Sequence, residues 1–279
     1  MKKISAAFDG LKFSKGTLEY AVNLSAQSHA LLSGVFLGDI LYHSFNLYEM
    51  LGSQGISQAK VKHLMEKDEA TRAEAVQLFK KSCKKAQVNY TIHLDDCFAI
   101  DDLLKESIYS DLVLIGADEA MNRFPADAPA PFVREVLAGT SCPVLVLPQT
   151  YHEIGRVVIL YDGHPSSVFA VKMFNYLMPF LRGLPTEIVY VSETTSPVSL
   201  PDDVLIKEFI RCHYPDAIYT LLTGEKVEVL TAHLQKTSPG TLVVMGAYNR
   251  GAISRIFKPS MADKLISVAG TPVFIAHHQ

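Results

Sequence analysis

Apolar residues along this chain fall into short continuous runs, separated by longer stretches in which they recur every three or four positions. The first pattern suits strands buried on both faces, and the second suits helices with one buried side. Runs rich in β-branched and aliphatic residues predict strands at 3–9, 31–37, 88–94, 111–116 and 143–147. They predict five more at 155–161, 186–192, 217–222, 241–246 and 272–276. Val61, Leu64, Met65, Asp68, Arg72, Ala75, Val76 and Phe79 keep helical spacing, with the apolar members on one face, which predicts a long helix. Pro165 suits a first helical turn, where its missing N–H is no loss, and Val168, Val171, Phe174 and Met178 mark the buried side of that helix. Ser199 to Asp202 reads as a capping-box start. Strand and helix alternate throughout, so the expected sheets are parallel, helix-covered on both faces and joined by right-handed crossovers. The segment from Gly38 to Gly55, with Leu41, Tyr42, Phe45, Leu47, Tyr48, Met50 and Leu51, either packs within its domain or forms a lid or partner surface.

The pattern also repeats. Lys3–Gly10 (KISAAFDG) resembles Arg156–Gly163 (RVVILYDG): a strand that ends in an aromatic residue, Asp and Gly. Asp111–Ala117 (DLVLIGA) resembles Thr241–Ala247 (TLVVMGA), and Ser141–Leu147 (SCPVLVL) resembles Gly270–Ala276 (GTPVFIA). Three landmarks in one order predict two tandem domains, 1–150 and 151–279, with a polar break near Pro148–Glu153. The second copy is shorter, because Pro197 to His213 stands where the first has residues 39–87.

Composition narrows the functional classes. The chain has 279 residues, 48% of them hydrophobic, and a formal net charge of −3, which gives no basic footprint for nucleic acid or an anionic membrane. Cys83, Cys97, Cys142 and Cys212 match neither a zinc pattern nor a disulfide framework and read as reduced thiols. His29, His43, His63 and His93 form no metal pattern, so no metal site is expected. No apolar stretch follows Met1 that would serve as a signal peptide or span a bilayer, and a cytoplasmic location is expected.

Ligands of a doubly wound sheet sit at the carboxyl ends of the strands, near the point where strand order reverses. Two stretches of the second half belong there. One is Asp162-Gly163-His164-Pro165-Ser166-Ser167; the other runs from Gly246 to Ser260. In the second, Gly246 and Gly251 let the backbone approach an anion, and Asn249 tolerates left-handed conformations. Arg250, Arg255 and Lys258 bring positive charge, and Ser260 offers a hydroxyl and an N–H where the last helix starts. The same residues also suit a plain basic connection between strand and helix. Asp162 reads either as a ligand contact or as a turn former, and His164 as a phosphate contact, an acid–base group or a surface turn residue.

Taken together, the Asp-Gly after the first strand, the strand end at Gly246, the basic loop and the Thr-Pro-Val last strand resemble a universal stress protein domain, in two copies over nearly the whole chain. The resemblance implies two Rossmann-like, adenine nucleotide alpha hydrolase-like domains, each an open five-stranded parallel sheet with helices on both faces. Nucleotide-binding members carry Gly, two residues, Gly, nine residues, then Gly and Ser or Thr. Here Gly246, Asn249 and Pro259 take the glycine positions and Ser260 follows; Pro259 has no N–H to give a phosphate. By the same resemblance Asp162 and Gly163 face the ribose or adenine side and Val191 presents backbone groups to the base. In the first half Glu119 and Pro129 replace two glycines and Ala130 the hydroxyl residue. Asp118, Glu119 and Asp127 would repel a phosphate, so this half is expected not to bind a nucleotide through its loop.

The expected function is that of a stress-response regulator binding ATP, with Mg²⁺, or another adenine nucleotide in its second half. The alternative is a scaffold of the same fold that acts through protein contacts. The resemblance further implies pairing of the domains along their last strands, as a pseudo-dimer within the chain, and pairing of two chains. No catalytic residues are assigned: no Gly-Lys-Ser/Thr loop and no Gly-x-Gly-x-x-Gly after a first strand occur, which disfavours an ATPase and a dehydrogenase.

Overall fold

A computed structural model of the chain describes residues 1–38, 58–95, 98–121, 127–193, 199–237, 239–246, 263–266 and 270–276. The first half holds β1 (Lys3–Asp9), α1 (Lys15–Ser28), β2 (Leu31–Leu37), α2 (Gln58–Lys85), β3 (Tyr90–Asp95), α3 (Ala99–Ile108), β4 (Leu112–Gly116), α4 (Pro131–Gly139) and β5 (Val144–Leu147). The second holds β6 (Arg156–Leu160), α5 (Pro165–Leu177), β7 (Thr186–Ser192), α6 (Asp203–His213), β8 (Ile218–Thr223), α7 (Lys226–Leu234), β9 (Thr241–Gly246) and β10 (Val273–Ala276). Every predicted strand is present, shifted by at most two residues at its start.

The ten strands form one sheet in the order β3-β2-β1-β4-β5-β10-β9-β6-β7-β8. Within each half all neighbours are parallel, and the order reverses between β1 and β4 and again between β6 and β9. Among the described residues only the seam is antiparallel: β10 lies against β5 with Val273 opposite Val146, Phe274 opposite Leu145 and Ile275 opposite Val144. The sheet is therefore a doubly wound α/β layer written twice, the copies joined along their last strands.

Why these segments become strands is visible in their burial. β4, β5, β9 and β10 are buried at every position, so only continuous apolar runs suit them. The helices divide between the two faces. Leu18, Phe79, Phe174 and Ile206 bring α1, α2, α5 and α6 onto one core. Leu103, Val133 and Leu230 bring α3, α4 and α7 onto the other, together with Leu265 and Ile266. Both cores run across the seam.

Two sequence expectations meet the structure differently. The long helix is α2, with 28 residues, and Pro165 opens α5 as its first residue. The capping box before α6 is not formed. Asp202 is the N-cap, but it sits in the left-handed region at φ 49° and makes no side-chain cap bond. The preceding turn is held elsewhere: the Tyr161 hydroxyl donates to the Pro201 carbonyl, and Pro201 packs on Gly163, whose φ is +82°. The segment from residue 39 to 57 lies outside the described residues.

Candidate functional site

The carboxyl ends of β6 and β9 part where the strand order reverses, and a narrow cleft of about 30 Å³ opens there. Its walls are apolar: Leu160, Val189, Val191, Leu230 and Met245. Its mouth carries Asp162, Ser167, Lys226 and Gly246. Four expected site residues, Asp162, Gly163, Val191 and Gly246, are thus described, and three of them line one cleft. Gly163 lies just outside, where its positive φ turns the chain into α5. Asn249, Arg250, Gly251 and Ser260 lie outside the described residues, as do Arg255, Lys258 and Pro259.

Each described residue has a local reason for its place. Asp162 is half-buried and its Oδ1 accepts from the His164 N–H at 2.9 Å, so it shapes the turn whatever else it meets. His164 is exposed and caps α5 with its backbone. The Ser167 hydroxyl donates to the His164 carbonyl at 2.7 Å. Gly246 is demanded by packing: a Cβ there would stand 2.4 Å from the carbonyl carbon of Ser166, so the end of β9 and the first turn of α5 meet backbone to backbone. The close approach that the sequence suggests for an anion is spent on a helix. Lys226, at the start of α7, puts its Nζ 3.8 Å from Glu193 Oε1 across the mouth. Sequence reasoning missed Lys226 and Leu230, because nothing marks them out from any helix opening after Gly224 and Glu225.

The matching place in the first half is different. A polar pocket of about 240 Å³ lies at the carboxyl ends of β1 and β4. Asp9, Lys12, Lys15, Asp118, Glu119 and Gln149 line it. Glu119 is buried and its Oε1 accepts the Asp9 N–H at 2.6 Å. Asp9 is itself buried, and its Oδ1 accepts from Leu11 and Lys12 N–H groups. Burial above all, then the neighbouring Asp9 carboxylate, pushes the Glu119 carboxyl up to about 8; the Asp9 N–H pulls the other way. Asp118 adds to the rise and Lys12 relieves it. Asp118 also accepts from Gln149 Nε2 at 2.7 Å. The sequence marks the three acids but not that one is driven inside.

This architecture has counterparts among solved structures. Over 99% of this chain and 98% of a universal stress protein from Archaeoglobus fulgidus, the two superpose with a TM-score of 0.70 at 14% identity. The fold is that of the universal stress proteins. A proposed universal stress protein from Pseudomonas aeruginosa gives a TM-score of 0.60 at 11% identity over 99% of this chain and 93% of its own. The cytoplasmic domain of a prokaryotic cation chloride cotransporter gives 0.50 at 10% identity over 98% and 94%. No protein-family model and no curated protein matches the sequence. The universal stress protein fold is here a single chain with two unlike switch points, an apolar cleft and a carboxyl-filled pocket. Among the described residues no group of acids, histidines or cysteines is placed to hold a metal, and no helix is long and apolar enough to cross a membrane.

Proposed function

We propose that the chain is a cytoplasmic stress-response regulator, not an enzyme, whose second half binds an adenine nucleotide, with Mg²⁺, in the cleft between β6 and β9. The observation that carries this reading is the contrast between the halves. The second switch point has apolar walls for a base and Asp162 at its mouth, where a carboxylate can accept from ribose hydroxyls. Lys226 stands beside it as a cation for phosphates. At the first switch point buried acid occupies the same place. The basic residues Arg250, Arg255 and Lys258, which follow β9 in sequence, complete the phosphate side of the proposal together with Asn249, Gly251 and Ser260.

A second reading, a scaffold that acts through protein contacts, draws on the narrowness of the cleft. Pockets for small molecules commonly hold about 300–1,000 Å³, so an adenine ring would have to part these walls.

Calorimetric titration of ATP with Mg²⁺ into ligand-free protein separates the two. Saturable binding at one site, with affinity on the order of −8 kcal/mol, and its weakening in Lys226→Glu and Asp162→Ala support the nucleotide. Absence of heat and of any thermal shift leaves the scaffold. Gly246→Asp does not separate them, because any side chain there also drives β9 off α5. Phosphate release over many turnovers, above background, would make the protein a hydrolase instead.

A further inference from the structure

The first-half pocket has a feature that the nucleotide reading leaves unused. After β4, the chain turns through Ala117 and Asp118 and sends Glu119 back inward, where it is 5% exposed. The turn is fastened at three points. The Ala117 N–H donates to the Leu147 carbonyl at 2.8 Å, Gln149 holds Asp118 from outside, and Glu119 takes the Asp9 N–H from inside. The first fastening joins two backbone groups; the second and third each end on a carboxyl, and only that of the third is buried.

Charged groups reach Glu119 from each element around it. Asp9 comes from the end of β1, Lys12 and Lys15 from the connection into α1 and its first residue, and Asp118 from the same turn. Next to Asp9 in the chain, Gly10 has Arg72 of α2 against it: a Cβ there would stand 3.0 Å from the Arg72 Cγ. The acids accept from backbone groups and from Gln149, so the arrangement reads as a closure. A neutral Glu119 fits it: its carbonyl oxygen accepts the Asp9 N–H and it adds no charge beside the buried Asp9. An ionised Glu119 keeps one N–H bond but sets its own buried negative charge against the Asp9 carboxylate, with half-buried Asp118 close by. One hydrogen bond does not offset that, and the side of the pocket open to water offers an exit.

We propose that Glu119 is a proton-operated latch on the first-half pocket: as the neutral acid it holds the β4 turn against Asp9, and on losing its proton to solvent it swings out and frees that turn. The pocket of about 240 Å³ then opens further, at the switch point where this fold has its ligand sites. The latch stands apart from nucleotide binding in the second half, and either can fail without the other.

Carbon-13 NMR of the glutamate side chains of the full chain, across pH, reads the latch directly. The Glu119 carboxyl is expected to titrate with its midpoint near 8, far above the ordinary carboxylate range. Hydrogen exchange at the Asp9 amide should accelerate through the same midpoint, beyond the base-catalysed rise at the neighbouring β1 amides. In Glu119→Gln that extra acceleration should vanish. A carboxyl that titrates in the ordinary range overturns the proposal without any variant. So does a high midpoint with unchanged protection at Asp9, and so does a Glu119→Gln protein that keeps the wild-type exchange profile.

Discussion

At the scale of single residues, some of the described glycines let backbones touch. A Cβ on Gly16 would lie 2.0 Å from the Gln149 carbonyl oxygen, and one on Gly246 would lie 2.4 Å from the backbone of Ser166. Neither obstacle is the far end of a flexible side chain, so neither can give way cheaply. Gly16→Ala and Gly246→Ala should each cost at least the roughly 1–3 kcal/mol typical of an overpacked core, measured by denaturant unfolding. A wild-type midpoint in Gly16→Ala would mean that the connection between the halves moves freely over α1. The His152 N–H donating to the Tyr20 hydroxyl, and Tyr151 packed on the Tyr20 ring at 4.7 Å, indicate that it does not.

At the scale of elements, both halves place one polar cluster at the same register on the sheet, with the roles exchanged. In the first half Lys3 and His93 on strands meet Glu106 on α3, and Ser33 sits beside His93. In the second, Arg156 and Thr220 meet Glu187, which stands on β7 where Ser33 stands on β2, and His233 on α7 takes the helix position. Burial alone would raise the Glu187 carboxyl. Hydrogen bonds from Thr220 and Arg156 and the nearby His233 outweigh it and hold the carboxyl below its ordinary range. Glu187 therefore contributes stability that is present above the unfolded carboxylate pKa and is lost as pH falls through the lower folded value. Glu187→Gln should flatten the acid limb of a plot of Tm against pH, and an unchanged acid limb would show that the cluster is electrostatically idle.

For the molecule as a whole, the seam between β5 and β10 decides the architecture. A four-residue run, Val-Leu-Val-Leu, with no charge and every position buried, is safe only while β10 covers its edge. A fragment of residues 1–150 leaves that edge bare. It should self-associate through β5, seen by light scattering as dimers or larger species; a stable monomer would show that the first half closes its own edge.

Much of this was legible in the amino-acid pattern. Ten strands follow from their apolar runs, and the order of three repeated landmarks foretells that one doubly wound unit is written twice, because a parallel strand buried on both faces tolerates little but aliphatic residues. The Asp-Gly turn and Gly246 mark the place where a cleft forms, since only a few residues suit those backbone positions. What the pattern leaves open are the partners of polar side chains far apart in sequence. Glu119 reads as one of three surface acids until β1 and β4 come together and bury it against Asp9. Lys226 reads as any helix-opening lysine until α7 lies over β7. Local propensity and burial periodicity are properties of neighbouring residues and are written along the chain. The direction in which a turn sends its carboxylate, and whether a glycine serves an anion or a helix, depend on what the fold brings from a hundred residues away, and the tertiary structure alone decides them.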